Sequence, residues 1–202
     1  MKPMLVAFTA LAVIAAPASA APLIGQAAPN FRATDVNGKA VSLSSYRGKT
    51  VVLEWHNPGC PFVKKHYGSG NMQKAQAAAA KDGVVWLTIN SGAPGKQGHL
   101  SGAEARSMLA QAGARPSAYL LDPAGAVGRA YDAKTTPHMY VVNKAGTLVY
   151  AGGIDDKPTA NPADINGARN HVLAALSELK AGKAVSVTTS RPYGCAVKYK
   201  DS

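Results

Sequence analysis

The two cysteines, Cys60 and Cys195, are the side chains in this sequence best suited to covalent chemistry. Cys60 follows an apolar, β-prone run at residues 50–56 and the turn sequence Asn-Pro-Gly, and it precedes Pro61 and an Ala-rich segment. This pattern predicts a buried strand, a sharp turn and then a helix that begins next to Cys60. Unpaired N–H groups and the helix dipole at a helix N-terminus favour thiolate over thiol. Cys60 is therefore predicted to be a nucleophile.

Two lysines follow Cys60 by about one helical turn, at Lys64 and Lys65. They either add positive potential beside the sulfur or form an ordinary solvated helix face, and the sequence leaves both interpretations open.

Cys195 lies beyond the last predicted helix, in the sequence Arg-Pro-Tyr-Gly-Cys. A distant cysteine on a flexible tail suits a resolving thiol, which must reach an oxidised Cys60 and then retreat. The alternative is a static disulfide, because exported chains with two cysteines usually pair them. Chain entropy alone would let such a crosslink stabilise the fold by about 4–5 kcal/mol.

The first twenty residues have the pattern of a secretory signal peptide. Lys2 is their single charge, an apolar run covers residues 5–14, and Ala18-Ser19-Ala20 forms a small-x-small cleavage site before Ala21. The apolar run is too short for a membrane anchor, which would be the alternative reading. We expect a periplasmic or secreted protein with no stable membrane insertion.

The composition predicts one folded domain. The chain has 202 residues, of which 47% are hydrophobic and 16% charged, and this excludes a disordered chain and a charged coiled coil. The formal net charge of +11 fits an acidic partner, an anionic surface or nucleic acid. We find no zinc-finger spacing, helix-turn-helix pattern or aromatic RNA-binding strand, and we therefore expect no nucleic-acid partner.

The order of the predicted elements is typical of an α/β protein with a central mixed β-sheet flanked by helices. A hairpin is predicted around the Asn37-Gly38 turn, and the last two strands form a second hairpin that makes the sheet mixed. Further strands are predicted at residues 50–56, 84–89, 118–121, 139–142 and 148–150, and helices after Cys60 and at residues 101–113, 126–131 and 162–180. The predicted organisation is a signal peptide at 1–20, a domain at 21–182 and a C-terminal tail at 183–202.

Three segments together resemble a known family: IGQAAPNFRATDVNGKAVSLSSYRGKTVVLEW, NPGCPFVKKH and TTPHMYVVNKAGTLVYAGGID. They are similar to the thioredoxin-fold redoxins, in the peroxiredoxin-like branch of the alkyl hydroperoxide reductase/thiol-specific antioxidant family. The resemblance covers roughly residues 22–182. It implies a thioredoxin-like fold with an N-terminal β-hairpin extension.

The resemblance also implies roles for individual residues. Cys60 matches the N-terminal active-site cysteine of the family. Pro137 matches the proline that takes the cis form and packs against that cysteine, which would bring Thr136 and His138 close to the sulfur.

Neither complete active site of the relatives is present. Val63 stands where thioredoxins have their second cysteine, while Leu53 and Asn57 stand where fast peroxidases have Pro and Thr. Asn57 is still a candidate hydrogen-bond donor to the sulfur. The substrate is therefore expected to be a peroxide or a protein or small-molecule disulfide, with an external thiol reductant and without a metal or organic cofactor.

A binding protein without turnover is the rival interpretation. Such a protein would use the same fold to hold a protein partner or copper. The candidate copper ligands are Cys60 and the residues His56, His66, His99, His138, Met72 and Met139.

Overall fold

The structure, a computed structural model, describes residues 22–200. The predicted signal peptide lies outside the described residues. The strands are β1 (Arg32–Asp35), β2 (Ala40–Ser42), β3 (Val51–Trp55), β4 (Val85–Asn90), β5 (Ala118–Leu121), β6 (Thr135–Thr136), β7 (His138–Val142), β8 (Leu148–Gly152) and β9 (Cys195–Ala196). The helices are α1 (Pro61–Gly68), α2 (Asn71–Lys81), α3 (Gly102–Ala112), α4 (Ala126–Ala130) and α5 (His171–Lys180), with 3-10 turns at Leu43–Tyr46 and Pro162–Ile165.

Seven strands form one mixed sheet in the order β2-β1-β5-β4-β3-β7-β8. Strands β3, β4 and β5 run parallel to one another. Strand β7 pairs antiparallel with β3, and β8 pairs antiparallel with β7. The predicted mixed α/β sheet is confirmed. The remaining strands, β6 and β9, pair with each other outside this sheet.

The predicted N-terminal hairpin is also present. Gly38 has a φ of +81° in the turn, which favours glycine, and the Asp35 carboxylate accepts the N–H groups of Asn37 and Lys39, both at 2.8 Å. Because β1 also pairs with β5, the hairpin widens the sheet.

Two predicted helices are shorter than the sequence suggested. The helix after Cys60 divides into α1 and α2 because Gly70 takes a left-handed φ of +74° between them. The helix expected over 162–180 begins only at His171, where the Asn170 side chain accepts the N–H of Leu173 at 2.9 Å. Ile165 therefore belongs to a 3-10 turn.

Strand β3 is the centre of the core, and all five of its residues are buried. Leu53 and Trp55 face a cluster that includes Tyr131 and Tyr140. Val52 faces the opposite cluster, which contains Met72. Burial on both sides explains the continuous apolar run in the sequence and fixes the end of β3, from which the chain turns to Cys60.

The C-terminal tail, predicted as a flexible segment, packs against the domain. The N–H of Ala151 in β8 donates to the Thr188 carbonyl at 3.1 Å, and the N–H of Ala93 donates to the Lys198 carbonyl at 2.8 Å. Val197 is buried in the core cluster around Trp55. These backbone contacts join segments far apart in sequence, and hydropathy does not reveal them. Within residues 22–200, no helix is long and apolar enough to cross a membrane.

Candidate redox site

Cys60 is the N-cap residue of α1, with Pro61 in the first helical position. Its N–H donates to the Asn57 carbonyl at 3.0 Å, and its carbonyl accepts the N–H of Lys64 at 2.9 Å. The predicted location at a helix N-terminus is confirmed. The residue is 0% exposed, so its sulfur lies beneath the protein surface.

The peptide bond between Thr136 and Pro137 is cis, as the resemblance implied. This bond lies directly beside the sulfur, because the Cys60 thiol donates to the Thr136 carbonyl oxygen at 3.0 Å. Thr136 thus meets the sulfur through its backbone oxygen, and a hydrogen bond from its side chain also lowers the pKa of Cys60.

Strand β9 brings the second cysteine to the first. Thr136 of β6 pairs with Cys195 of β9 in antiparallel register. The pairing places the Cys195 backbone N–H 3.4 Å from Cys60 Sγ. The Thr136 hydroxyl donates to the Cys195 carbonyl at 3.3 Å, and both cysteines are free thiols.

Gly194 permits this approach. Its φ of +132° is a conformation that favours glycine, and a Cβ at this position would collide with the Thr136 carbonyl oxygen. The Gly-Cys pair in the tail is thus a sequence signal for close backbone contact, although the sequence alone does not say with which segment.

The electrostatics of the two thiols differ. Burial raises the pKa of Cys60, but hydrogen bonds from Cys195 and from the Val63 backbone oppose burial, and the net pKa lies below the ordinary value. Burial, the hydrogen bond to Cys60 and the charge of Cys60 raise the pKa of Cys195 to about 11. Cys60 is therefore the first of the pair to become a thiolate, and Cys195 keeps its proton and donates to it.

Asn57 shapes the turn before Cys60. Its amide donates to the Gln97 side chain at 2.8 Å, and its side-chain oxygen accepts the N–H of Gly59 at 2.9 Å. The side chain expected to reach the sulfur is thus used to hold the loop that positions Cys60.

The two lysines after Cys60 have different environments. Lys64 is exposed, as a solvated helix face requires. The Lys65 side chain is fully buried, donates to the Lys157 carbonyl at 2.8 Å and lies 3.9 Å from the Asp155 carboxylate. Only the buried lysine therefore belongs to the interior of the site.

Asp155 connects α1 to the tail, and sequence reasoning missed this contact. The Tyr193 hydroxyl donates to the Asp155 carboxylate, and His66 Nε2 lies 3.1 Å from the same hydroxyl. Burial lowers the pKa of His66 to about 4, although Asp155 opposes that shift, so the imidazole is neutral at pH 7. Since Tyr193 is two residues from Cys195, this buried polar cluster anchors the segment that carries the second thiol.

Glu54 is a second buried charge-bearing group that sequence reasoning missed, on β3 six residues before Cys60. Its carboxyl accepts hydrogen bonds from Trp86 Nε1 at 2.8 Å, the Tyr67 hydroxyl at 2.8 Å and the Thr88 hydroxyl at 3.0 Å. Burial raises its pKa, and these hydrogen bonds oppose the rise. A polar residue in an otherwise apolar strand was the available signal.

Three of the candidate histidine ligands of copper lie within hydrogen-bond distance of other groups. His56 bonds to the Tyr119 hydroxyl at 2.9 Å, His138 lies 3.1 Å from the Tyr140 hydroxyl, and His99 lies 2.9 Å from the Gly92 carbonyl. In the part of the chain that the structure describes, no three His, Cys, Asp or Glu side chains are arranged to hold a metal ion.

The family follows from a comparison with known protein families, in which the model of the AhpC/TSA family matches residues 24–151. The chain belongs to the AhpC/TSA family. The match ends well before Tyr193 and Cys195, so the second thiol of this AhpC/TSA-family member lies outside the matched region.

Solved structures show the thioredoxin-like fold of this AhpC/TSA-family member. An uncharacterized conserved protein from Geobacillus kaustophilus is 28% identical with a TM-score of 0.78, over 89% of this chain and 94% of that one. A hypothetical protein from Sinorhizobium meliloti is 23% identical with a TM-score of 0.75, over 91% of this chain and 98% of that one. A putative thiol:disulfide interchange protein DsbE from Chlorobium tepidum is 24% identical with a TM-score of 0.53, over 65% and 85%. No curated protein matches the chain.

Proposed function

We propose that this protein is an exported thiol–disulfide oxidoreductase whose redox couple is Cys60 and Cys195. One observation carries the proposal: the β6–β9 pairing holds the Cys195 N–H 3.4 Å from Cys60 Sγ. A low-pKa thiol at a helix N-terminus with a second thiol fixed beside it is the arrangement that reversible disulfide chemistry requires.

In the forward reaction the Cys60 thiolate attacks one sulfur of a substrate disulfide. A Cys60–substrate bond forms, the substrate S–S bond breaks, and the departing substrate sulfur takes up a proton. Cys195 then loses its proton and attacks Cys60, releasing the second substrate thiol and forming the Cys60–Cys195 disulfide. The substrate is reduced to a dithiol, the protein is oxidised, and an external thiol reductant restores it.

Access to Cys60 sets a condition on this reaction. Cys60 is 0% exposed, and the backbone of residues 194–196 lies against it. The segment at 194–196 must therefore move aside before a substrate sulfur meets Cys60, and the short β6–β9 pairing is small enough to open locally.

A peroxide is the second candidate substrate, and membership of the AhpC/TSA family supports it. The thiolate would attack a peroxide oxygen to give a sulfenic acid, and Cys195 would condense with it to give the disulfide and water. Leu53 is packed in the core, however, and the Asn57 side chain holds the turn. Neither residue therefore supplies the side chain with which the resembling peroxidases would shape a peroxide pocket at these positions, so we favour the disulfide.

The proposed location is the periplasm or the extracellular space, where the predicted signal peptide at residues 1–20 would direct the chain. The reaction needs no metal or organic cofactor, because both sulfurs belong to the chain. The neighbours with thiol:disulfide names share the fold of this chain, and the proposed activity rests on the positions of Cys60 and Cys195.

The test is thiol trapping with intact mass spectrometry on the reduced protein. Parallel samples are mixed with a small-molecule disulfide and with hydrogen peroxide, and free glutathione is the slow-thiol control. We expect a Cys60–Cys195 disulfide to form quickly with the disulfide reagent, and we expect Cys60→Ser to abolish it. Fast oxidation by peroxide alone would favour the peroxidase, and a protein inert to both reagents would refute the proposal.

A further inference from the structure

A groove of about 540 Å³ lies beside the redox couple. It is formed by α1, the loop after β8, the start of α5 and the tail. Its lining includes Phe62, which follows Cys60 by two residues, and Gly194, which belongs to the segment that covers the Cys60 sulfur. When the segment at 194–196 moves aside, the groove therefore becomes continuous with Cys60.

The walls of the groove combine apolar surface with ionisable groups of both signs. The ionisable side chains in the lining are Asp155, Asp156, His171, Arg191 and Tyr193. A volume of several hundred Å³ with a few polar groups is typical of a site for a small molecule. The class of ligand depends on which of these charges the protein leaves uncompensated.

The charge of Asp155 is compensated within the protein. Its carboxylate accepts the Tyr193 hydroxyl, and the buried ammonium of Lys65 lies 3.9 Å away. His66 Nε2 also lies 3.9 Å from this carboxylate, but burial lowers the pKa of His66 to about 4, so the imidazole adds no charge at pH 7. The charges of Lys65 and Asp155 therefore cancel at the floor of the groove.

Asp156 and Arg191 carry the two remaining full charges of the lining, and both residues are exposed. The Asp156 carboxylate accepts the backbone N–H of Arg169 at 3.0 Å, and this neutral donor leaves its charge in place. Within residues 22–200, Asp156 and Arg191 form no ion pair with each other. His171 Nδ1 is buried without a hydrogen-bond partner in the same part of the chain, so the lining also has unused hydrogen-bonding capacity. The groove therefore offers one negative and one positive group to a ligand.

The wall that carries Arg191 keeps its place when the segment at 194–196 opens. Ser190, the preceding residue, accepts the N–H of Gly153 at 3.0 Å through its hydroxyl oxygen. Tyr193, two residues later, is held by the buried carboxylate. Since Arg191 lies between these two anchors, both charges remain in the groove while a substrate sulfur approaches the active site.

We propose that the groove selects small disulfides whose halves each carry an ammonium and a carboxylate, which is the class of amino-acid disulfides. The ammonium pairs with Asp156, and the carboxylate pairs with the guanidinium of Arg191. A disulfide within a polypeptide lacks both charges at its cysteines, because their amino and carboxyl groups are in peptide bonds. The inference deepens the proposed function and rests on it, since Cys60 must attack the bound disulfide.

The reaction with such a disulfide balances. The Cys60 thiolate forms a bond to one sulfur while the substrate S–S bond breaks, and the released half takes up a proton. Cys195 then loses its proton, attacks Cys60 and releases the second half as a thiol. One amino-acid disulfide is reduced to two amino-acid thiols, and the protein dithiol is oxidised to a disulfide.

The charge of the whole protein predicts a different preference. With a formal net charge of +11, the protein attracts anions from a distance and repels cations. Long-range attraction alone would therefore make an anionic disulfide react fastest and a cationic one slowest. A groove with one charge of each sign instead favours the zwitterionic disulfide over both.

The first experiment compares cystine, cystamine, dithiodipropionate and hydroxyethyl disulfide, which are zwitterionic, cationic, anionic and neutral, respectively. Formation of the Cys60–Cys195 disulfide in the reduced protein is followed by acid quenching, alkylation and intact mass spectrometry. Each rate is divided by the rate of the same reagent with mercaptoethanol, a neutral thiol, which removes differences in intrinsic reactivity. We expect cystine to react about threefold faster or more than each of the others.

The other outcomes separate the inference from the proposed function. Equal rates for the four reagents, or the fastest reaction with dithiodipropionate, would overturn the selectivity of the groove and leave the Cys60–Cys195 couple intact. A protein that none of the four oxidises would refute the proposed function.

The second experiment assigns each half of the recognition. Arg191→Gln should slow cystine and dithiodipropionate about threefold and leave cystamine unchanged. Asp156→Asn keeps an oxygen that accepts the N–H of Arg169 but loses the charge, so it should slow cystine and cystamine and leave dithiodipropionate unchanged.

Lys183→Gln and Asp82→Asn are the matched controls. Each makes the same change in net charge at an exposed position outside the groove. We expect both controls to keep the preference for cystine. A preference that survives in Arg191→Gln and Asp156→Asn, or that is lost equally in the controls, would refute the groove.

Discussion

The backbone N–H of Cys195 lies 3.4 Å from the sulfur of Cys60, although 135 residues separate the two positions. The contact depends on a two-residue pairing between the tail and the strand before the cis proline. It makes Cys195 a fixed neighbour of Cys60, and the redox chemistry therefore depends on how firmly the tail is held.

The first prediction concerns Gly194→Ala. A Cβ at this position would collide with the Thr136 carbonyl, so the tail must leave β6 and carry Cys195 away from Cys60. We expect the rate of Cys60–Cys195 disulfide formation to fall about tenfold or more through the loss of effective concentration. Alkylation of Cys60 should become faster, because the segment that covers it is displaced.

Gly182→Ala is the control for this variant. Gly182 also has a positive φ, +70°, but open space surrounds its Cβ position. The control thus introduces the backbone strain without the collision. Equal rates of disulfide formation in the two variants would show that the close approach of Gly194 to Thr136 does not position Cys195.

The second prediction concerns the pH at which Cys60 ionises. Burial raises the Cys60 pKa, and the Cys195 side chain is the first of the hydrogen-bond donors that lower it. Cys195→Ala removes this donor, so the Cys60 pKa should rise above that of the wild-type protein. Cys195→Ser retains an O–H donor at the same position and should raise it less.

The measurement is ultraviolet absorbance of the thiolate across a pH titration. Both variants contain Cys60 as their single cysteine, so the signal has one source. Identical titration curves for Cys195→Ala and Cys195→Ser would contradict the hydrogen-bond explanation.

The third prediction compares two adjacent lysines. Lys65→Met removes the cation next to the buried Asp155 carboxylate and also the donor to the Lys157 carbonyl. Breaking a buried ion pair leaves an uncompensated charge, so we expect the free energy of unfolding, measured in urea, to fall by about 3 kcal/mol. Lys64→Met, at an exposed position, should change stability by less than about 0.5 kcal/mol. Similar losses in both variants would refute the structural role of the Lys65–Asp155 pair.

The fourth prediction concerns Glu54→Gln and pH. Burial raises the pKa of the Glu54 carboxyl, so the folded state holds its proton at pH values where the unfolded state has lost it. The contribution of Glu54 to the free energy of unfolding is therefore fully present below the pKa of the unfolded state. It is lost as the pH rises toward the pKa of the folded state. Glutamine does not titrate. The stability of Glu54→Gln relative to wild type should therefore increase with pH in that window.

For Glu104→Gln we expect the opposite pH dependence of stability relative to wild type. A backbone hydrogen bond from Ser101 is the main cause that lowers the pKa of this exposed carboxyl. The ionised Glu104 carboxylate stabilises the folded wild-type protein at high pH, and this contribution is lost as the pH falls through the folded pKa. The variant lacks the contribution, so its stability relative to wild type should decrease as the pH rises. Chemical denaturation at a series of pH values measures both. The same slope in both variants would contradict the role of burial at Glu54.

The elements that pack by local pattern were predictable. The apolar run of β3 and the Ala-rich segment after Pro61 indicated a buried strand followed by a helix, and Cys60 falls at the junction. The capping box of Ser101 and Glu104 is present at the start of α3. These features depend on neighbours within a few residues of one another, and that information is contained in the sequence.

The breaks in the helices were harder to predict. Gly70 interrupts an otherwise continuous helical pattern, and a single glycine is tolerated in many helices. Whether the chain bends there depends on how α1 and α2 pack on the sheet.

The sequence by itself determined the family, the mixed α/β fold and the position of Cys60 at the start of a helix, because each depends on local motifs and periodicity. Only the tertiary structure decided that the tail packs against the domain, that Cys195 meets Cys60, and that Lys65 is buried while Lys64 is exposed. These features depend on hydrogen bonds and packing between segments that are distant in sequence, such as the bond of Tyr193 to Asp155. The hydropathy pattern does not indicate which distant polar groups will pair.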